Sequence, residues 1–227
     1  MRPTVIAFDV NETLSDLSPL GARFVEVGAS ATAARLWFAA TLRDGFALSA
    51  VGENPSFVAV ARELLLSHLS EAQLNRSVEE ATKQVMDGFA SLELHADVAS
   101  GVDRLAEDGF RLVTLSNGPT SVAERLLEAA NLRGTFERLL SVEDAGAWKP
   151  SPVAYRYAAS ECGVEPEEML LVAVHPWDVH GARRAGLQSA WVNRSGAHFP
   201  AIFSEPTYTI SAIDELTELW QESPPHV

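Results

Sequence analysis

Cysteine is nearly missing from the 227 residues: Cys162 stands alone, so no internal disulfide can form and no multi-cysteine zinc or iron–sulfur centre is available. A lone thiol suits a reducing compartment, and a cytoplasmic location is the expectation. Positive charge is also scarce, with 17 Lys and Arg against 31 Asp and Glu and a formal net charge of -14. Nucleic acids demand a basic surface and are disfavoured as partners. The same field repels small anions, so an anionic ligand must be met by a few local cations and backbone N–H groups. No apolar run reaches the roughly 18 residues of a membrane span. The opening MRPTVIAFDV, with one Arg and with Asp9, reads as neither a secretory signal nor a membrane segment. Repeats, P-loop, GxGxxG, HExxH and GxSxG motifs are absent, which removes solenoids and several enzyme classes.

What is present describes a globule. Apolar residues make up 47% of the chain and charged ones 21%, a balance that excludes disordered and collagenous classes. The length suits one good-sized domain with an insertion. Residues 4–8 form a short apolar run that delivers Asp9 at its carboxyl end. From about 19 to 94 the apolar spacing is helical throughout. Thereafter helical and strand patterns alternate: helix 101–109, strand 110–115, helix 121–130, strand 139–142, helix from Pro152 to Gly163, strand 169–174, helix 178–185, strands 189–192 and 208–210, helix 213–220. Strands separated by helices predict a Rossmann-like α/β core with a parallel sheet, residues 1–15 and 96–227, and an inserted all-helical cap, residues 16–95.

Ligands of open α/β sheets bind at the carboxyl ends of the strands. Those ends carry Asp9 with Thr13, Ser116 with Asn117, Lys149, and His175 with Asp178. Alone, each reads equally well as a turn or capping residue; together they place two carboxylates, a cation and hydrogen-bond donors on one rim.

FDVNETL, LSNGP, WKP with Tyr155 six residues after its lysine, and WDVHGARRAG together resemble the four motifs of the haloacid dehalogenase superfamily, closest to its L-2-haloacid dehalogenase branch. The resemblance implies that Asp9 is a nucleophile forming a covalent ester, with Lys149, Asp178, Thr13, Ser116 and Asn117 as its catalytic partners. It further implies substrate contacts from Val10, Asn11, Tyr155, His175 and Trp177. The substrate implied is a small L-2-haloalkanoic acid, released as a D-2-hydroxy acid and halide, and a homodimer through the cap is typical of similar enzymes. Phosphatases of the superfamily resemble one another in an acid two residues after the nucleophile; here that residue is the amide Asn11, which cannot protonate a leaving alcohol. Ala173 stands where such an enzyme holds a magnesium-binding carboxylate, so no metal and no cofactor are expected.

Two departures from the pattern remain. The resemblance implies a cap arginine for the leaving halide; the count from Trp37 falls on Leu48, and Arg43 is the nearest substitute, reaching the pocket mouth from a helix end or facing Asp44 as a solvated charge. Aromatic Trp37, Phe38, Phe46 and Trp177 are candidates for a halide pocket or for plain core. His175 replaces an amide and reads either as a water-activating base or as a neutral hydrogen-bonding group. His68, His95, His180, His198 and His226 need no role. A phosphomonoesterase of the same superfamily and a non-catalytic relative that binds a small acid are the alternatives.

Overall fold

The computed structural model describes residues 2–220. Six parallel strands form one sheet in the order β3-β2-β1-β4-β5-β6. They are β1 (Val5–Phe8), β2 (Arg111–Ser116), β3 (Phe136–Ser141), β4 (Met169–Ala173), β5 (Gln188–Val192) and β6 (Tyr208–Ile210). The strand β1 lies at the centre, with Val5 paired to Arg111 on one side and to Met169 on the other. All four of its residues are buried, Ile6 and Phe8 in the apolar layer on one face and Val5 and Ala7 in the layer on the other. Such a doubly covered strand reads as a continuous apolar run.

Helices α5 (Val98–Glu107) and α6 (Thr120–Ala129) follow, with α7 (Val142–Ala145), α8 (Pro152–Cys162) and α9 (Pro176–Ala185). Ser151 caps α8 by accepting from Val153 N, Pro152 opens it, and Gly163 ends it at φ +65°, as the sequence predicts. Before them come α1 (Leu20–Glu26), α2 (Ala33–Ala50), α3 (Phe57–Ser70) and α4 (Val78–Ala90), which share a third apolar cluster containing Trp37, Phe57, Leu65 and Phe89. The chain leaves β1 and returns to the sheet side by side, Asp16 N donating to Glu93 O and His95 N to Leu14 O.

Several boundaries differ from the sequence reading; the helix read as 101–109, for instance, spans Val98–Glu107. Strand β3 starts at Phe136 rather than 139, because exposed Glu137 and Arg138 lie on a sheet edge and hide the apolar pattern. Helix α9 starts at Pro176, so its N-cap is His175; Asp178 lies within the first turn and is wholly buried.

Candidate active site

The order of the strands reverses at β1, whose neighbours β2 and β4 run on to the two edges. A crevice opens at such a switch point, outside the carboxyl ends of the strands. Asp9 follows β1 directly, with its backbone N donating to Val172 O on β4. The next five residues turn tightly: Leu14 N and Ser15 N both donate to Val10 O, and Glu12 takes a left-handed φ of 63°. That turn brings Thr13 back beneath Asp9. Thr13 Oγ1 donates to Asp9 Oδ2 at 2.7 Å and accepts from Val174 N at 3.1 Å, so its rotamer is fixed from both sides.

Lys149 stands between two carboxylates. Its Nζ donates to Asp9 Oδ1 at 2.8 Å and to Asp178 Oδ2 at 2.5 Å, and its side chain is fully enclosed. The other oxygen of Asp178 accepts from the Tyr155 hydroxyl at 2.6 Å. Gly181 makes that contact possible, since a Cβ there would overlap the Tyr155 hydroxyl. Asn117 clamps the backbone of Lys149: its Oδ1 accepts from Lys149 N at 2.9 Å and its Nδ2 donates to Lys149 O at 3.4 Å. Ser116 Oγ accepts from Gly118 N, and the Asn11 amide approaches the same loop, 3.7 Å from where a Cβ of Gly118 would lie. Helix α6 begins at Thr120, just beyond, with the positive end of its dipole toward the cleft.

Burial sets the electrostatics. It pushes the Lys149 ammonium toward its neutral form, yet the Asp178 and Asp9 carboxylates more than offset this and hold its pKa above the ordinary lysine range. Burial raises the Asp178 carboxyl, with Lys149 pulling it down and Asp9 pushing it up. Tyr155 is raised well above the usual phenol range by burial and then by the Asp178 carboxylate. It therefore stays a proton donor.

A run of packed rings starts beside Asp9 at His175, whose Nε2 lies 3.8 Å from Asp9 Oδ2. His175 stacks on Trp177 at 5.0 Å and on Phe38 at 6.4 Å; Phe38 meets Phe57 at 6.4 Å, and Phe57 stacks on Trp148 at 5.9 Å. Trp148 immediately precedes Lys149, and Trp177 lies 6.0 Å from the Lys149 Nζ, so the belt closes on the lysine itself. Phe38 and Phe57 come from α2 and α3. The belt thus spans the cap and the sheet.

The sequence-derived residues divide clearly. Asp9, Thr13, Lys149, Asp178, Tyr155, Ser116 and Asn117 converge, with Asn11, Val10, His175 and Trp177 around them. Arg43 does not: it sits in the middle of α2 rather than at a helix end, bonded by Nε to Asp44 at 2.6 Å, on a shallow outer depression beside Phe46 and the outside of Trp177. Trp37 is cap core, its Nε1 donating to Ala61 O. His175 Nε2 approaches Asn11 O at 3.3 Å, Glu12 Oε2 at 3.6 Å and Asp9 Oδ2 at 3.8 Å. Of these only the Asn11 carbonyl, an acceptor, is within hydrogen-bond distance of the ring nitrogen. His226 lies outside the described residues.

Sequence reasoning missed two residues, Glu12 and Arg35, which face a cavity of about 790 Å³ behind His175. A left-handed turn residue and an arginine on an otherwise ordinary helix carry no pattern that marks them. The cavity is not lined by Asp9 or Lys149, and His175 stands between it and Asp9.

A magnesium ion, which the superfamily's phosphatases resemble one another in using, does not fit this donor set. Lys149 already supplies the cation between Asp9 and Asp178, Tyr155 takes the remaining Asp178 oxygen, and Asn11 and Ala173 add no carboxylate. Among the described residues no group of three or more His, Cys, Asp and Glu is placed to hold an ion.

Comparison with known proteins agrees with this geometry. The haloacetate dehalogenase H-2 of Moraxella sp. (strain B) is 28% identical, covering 94% of this chain and 96% of the relative. The (S)-2-haloacid dehalogenase 2 of Pseudomonas sp. (strain CBS-3) is 28% identical over 94% of each. A solved dehalogenase with an intermediate complex superposes with a TM-score of 0.90 at 26% identity, covering 97% of this chain and 98% of the other. A family model for haloacid dehalogenase-like hydrolases matches residues 3–186. By fold, rim chemistry and sequence match together, the chain belongs to the haloacid dehalogenase-like hydrolases.

Proposed function

We propose that this chain hydrolyses the carbon–halogen bond of small L-2-haloalkanoic acids through an ester on Asp9. The observation that carries this reading is the enclosed carboxylate–ammonium–carboxylate–phenol chain of Asp9, Lys149, Asp178 and Tyr155, with an amide at Asn11 where a phosphatase needs an acid. The names of the relatives, a haloacetate dehalogenase and a 2-haloacid dehalogenase, support it. Residues 1–15 and 96–227 act as the catalytic core and 16–95 as the cap.

In the first step one Asp9 oxygen attacks carbon 2 from the side opposite the halogen. The new C–O bond forms as the carbon–halogen bond breaks, the halide leaves with the electron pair, and the centre inverts. A halide is a weak base and needs no proton, so the neutral Asn11 costs nothing. The aromatic belt keeps water off the nucleophile, which a carboxylate requires to attack carbon. Ser116, Asn117 and the start of α6 hold the substrate carboxylate. In the second step water adds to the Asp9 Cγ while Asp178 takes one of its protons. Burial raises the Asp178 carboxyl and suits it to that exchange. The Cγ–O bond breaks, the departing alkoxide takes the proton from Asp178, and the D-2-hydroxy acid leaves; the regenerated Asp9 releases the second proton. Lys149 and Thr13 hold the charge that develops on Asp9. Tyr155 positions Asp178.

The same proposal includes a cytosolic setting, supported by the single buried thiol, and a homodimer through the cap, supported by exposed Leu36 and Val51 on and beside α2. The decisive assay measures halide and D-hydroxy acid released from L- and D-2-chloropropionate, with and without EDTA. Release from the L acid only, indifferent to EDTA and abolished by Asp9→Asn, is the expected result. Phosphatase activity that EDTA removes would replace this reading with a phosphomonoesterase.

A further inference from the structure

Asp9 is only 4% exposed, and Ser116, Asn117 and Lys149 are buried beside it, so a small acid must reach them through the protein rather than across open rim. The cavity of about 790 Å³ opens behind His175, next to Asp9. It is bounded by α1 and α2 on the cap side and by the loop that follows β5 on the other, and His175 and Glu12 belong to its wall. His175 Nε2 lies 3.8 Å from Asp9 Oδ2, so a single imidazole separates the cavity from the nucleophile.

The fixed charges around this cavity are unequal in freedom. Arg194 is committed: it binds Asp97 at 2.9 Å and donates to Thr13 O at 3.0 Å. Asp16 is turned toward Ser18, accepting from its backbone N and its hydroxyl. Arg35 is exposed on α2, lines the cavity, and among the described residues has no carboxylate within ion-pair distance. Glu12 shares the cavity with Arg35 and His175; burial lifts its carboxyl above the ordinary range, while His175 and Arg35 pull it down. His95 and His198 complete the titratable lining. In a molecule of net charge -14, one uncommitted guanidinium in a concave wall is the feature able to draw an anion inward, since a cleft focuses the field of its lining charges.

We propose that this cavity is the port through which a 2-haloacid anion arrives and halide departs, with Arg35 as the cation that attracts the anion and Glu12 as the opposing charge that hastens its release. The identity of the arriving anion rests on the dehalogenase reading; the capture of an anion beside Arg35 does not. A planar guanidinium suits a carboxylate, and an exposed one holds an anion weakly enough to let it move on.

The test uses Arg35→Gln, Arg35→Lys and Glu12→Gln in the full chain. With L-2-chloropropionate, Arg35→Gln lowers kcat/KM roughly threefold to tenfold, leaves kcat within about twofold, and flattens the fall of kcat/KM that sodium sulfate causes in the native enzyme. Arg35→Lys restores the salt dependence, and Glu12→Gln shifts inhibition by added bromide toward tighter binding. Separately, native crystals soaked in bromide show an anomalous peak beside Arg35 that Arg35→Gln crystals lack. An unchanged kcat/KM and salt response in Arg35→Gln, a loss confined to kcat, or no bromide in the native cavity would each overturn the port. If the native enzyme releases no halide, the dehalogenase reading fails and the bromide experiment alone decides whether the cavity captures anions.

Discussion

Lys149 carries its charge where water cannot reach it, and what keeps that charge in place is the pair of carboxylates flanking its Nζ. Removing one member of a buried charged set leaves the others uncompensated and costs about 3–5 kcal/mol. Lys149→Met is therefore expected to lower the unfolding free energy by about that amount and to abolish halide release, as read by urea titration and a halide assay. A fully stable variant would mean that the set is open to solvent. The pH dependence follows from the same residues. Lys149 and Tyr155 both have raised values in the folded state. Their contribution is fully present below the ordinary lysine and phenol values near pH 10, and is lost as pH rises through the raised folded values. Urea titrations at pH 8 and pH 10.5 should show a smaller decline for Tyr155→Phe than for the native chain; an equal decline would sink the assignment. At this scale the sequence was legible where a residue stands at the end of an apolar run, as Asp9, Ser116 and His175 do. For Arg43 it left two readings open, and the structure takes the second: the helix continues to Ala50 and the guanidinium pairs with its neighbour Asp44.

Helix α2 has an unmarked function that only packing reveals. Gly45 lies at its middle, and a Cβ there would overlap the Trp148 ring. Trp148 is locked by three contacts: its N donates to Ser49 Oγ, its Nε1 to Pro55 O, and its ring stacks on Phe57. Lys149 is thereby attached to the cap through the preceding residue. Gly45→Ala is expected to destabilise the protein by about 1–3 kcal/mol through overpacking and to slow turnover more than it alters KM. A thermal melt and a steady-state assay check this; unchanged values for both would show that Trp148 has room to move. Nothing in the local sequence announces the contact, because it joins residues about a hundred positions apart. The strands and caps, by contrast, follow from local rules: α8 begins with Ser151 and Pro152 and ends with Gly163 as those residues dictate. Strand β3 escaped those rules because an edge strand shows Glu137 and Arg138 to solvent.

Across the whole molecule, the sheet order places β1 at the reversal and so sets Asp9 between the loops of β2 and β4. Alternation of helices and strands implied a parallel sheet, and the resemblance implied which rim residues matter. The ring belt and the cavity required tertiary contacts between the cap and the sheet that no spacing encodes. The chain carries a net charge of -14 yet is proposed to act on anions, so its attraction for substrate must be local. Kinetics in added salt should show kcat/KM falling as ionic strength screens that local attraction, while kcat, set by enclosed groups, holds steady. The most direct test of the covalent route is a single turnover with enzyme in excess of L-2-chloropropionate in water enriched with heavy oxygen. The account predicts that the first hydroxy acid released carries ordinary oxygen, taken from Asp9, and that the label is found in the Asp9 carboxylate by mass spectrometry of the peptide. Label in the hydroxyl group of that first product, with Asp9 unlabelled, would contradict it, because water would then have attacked carbon directly.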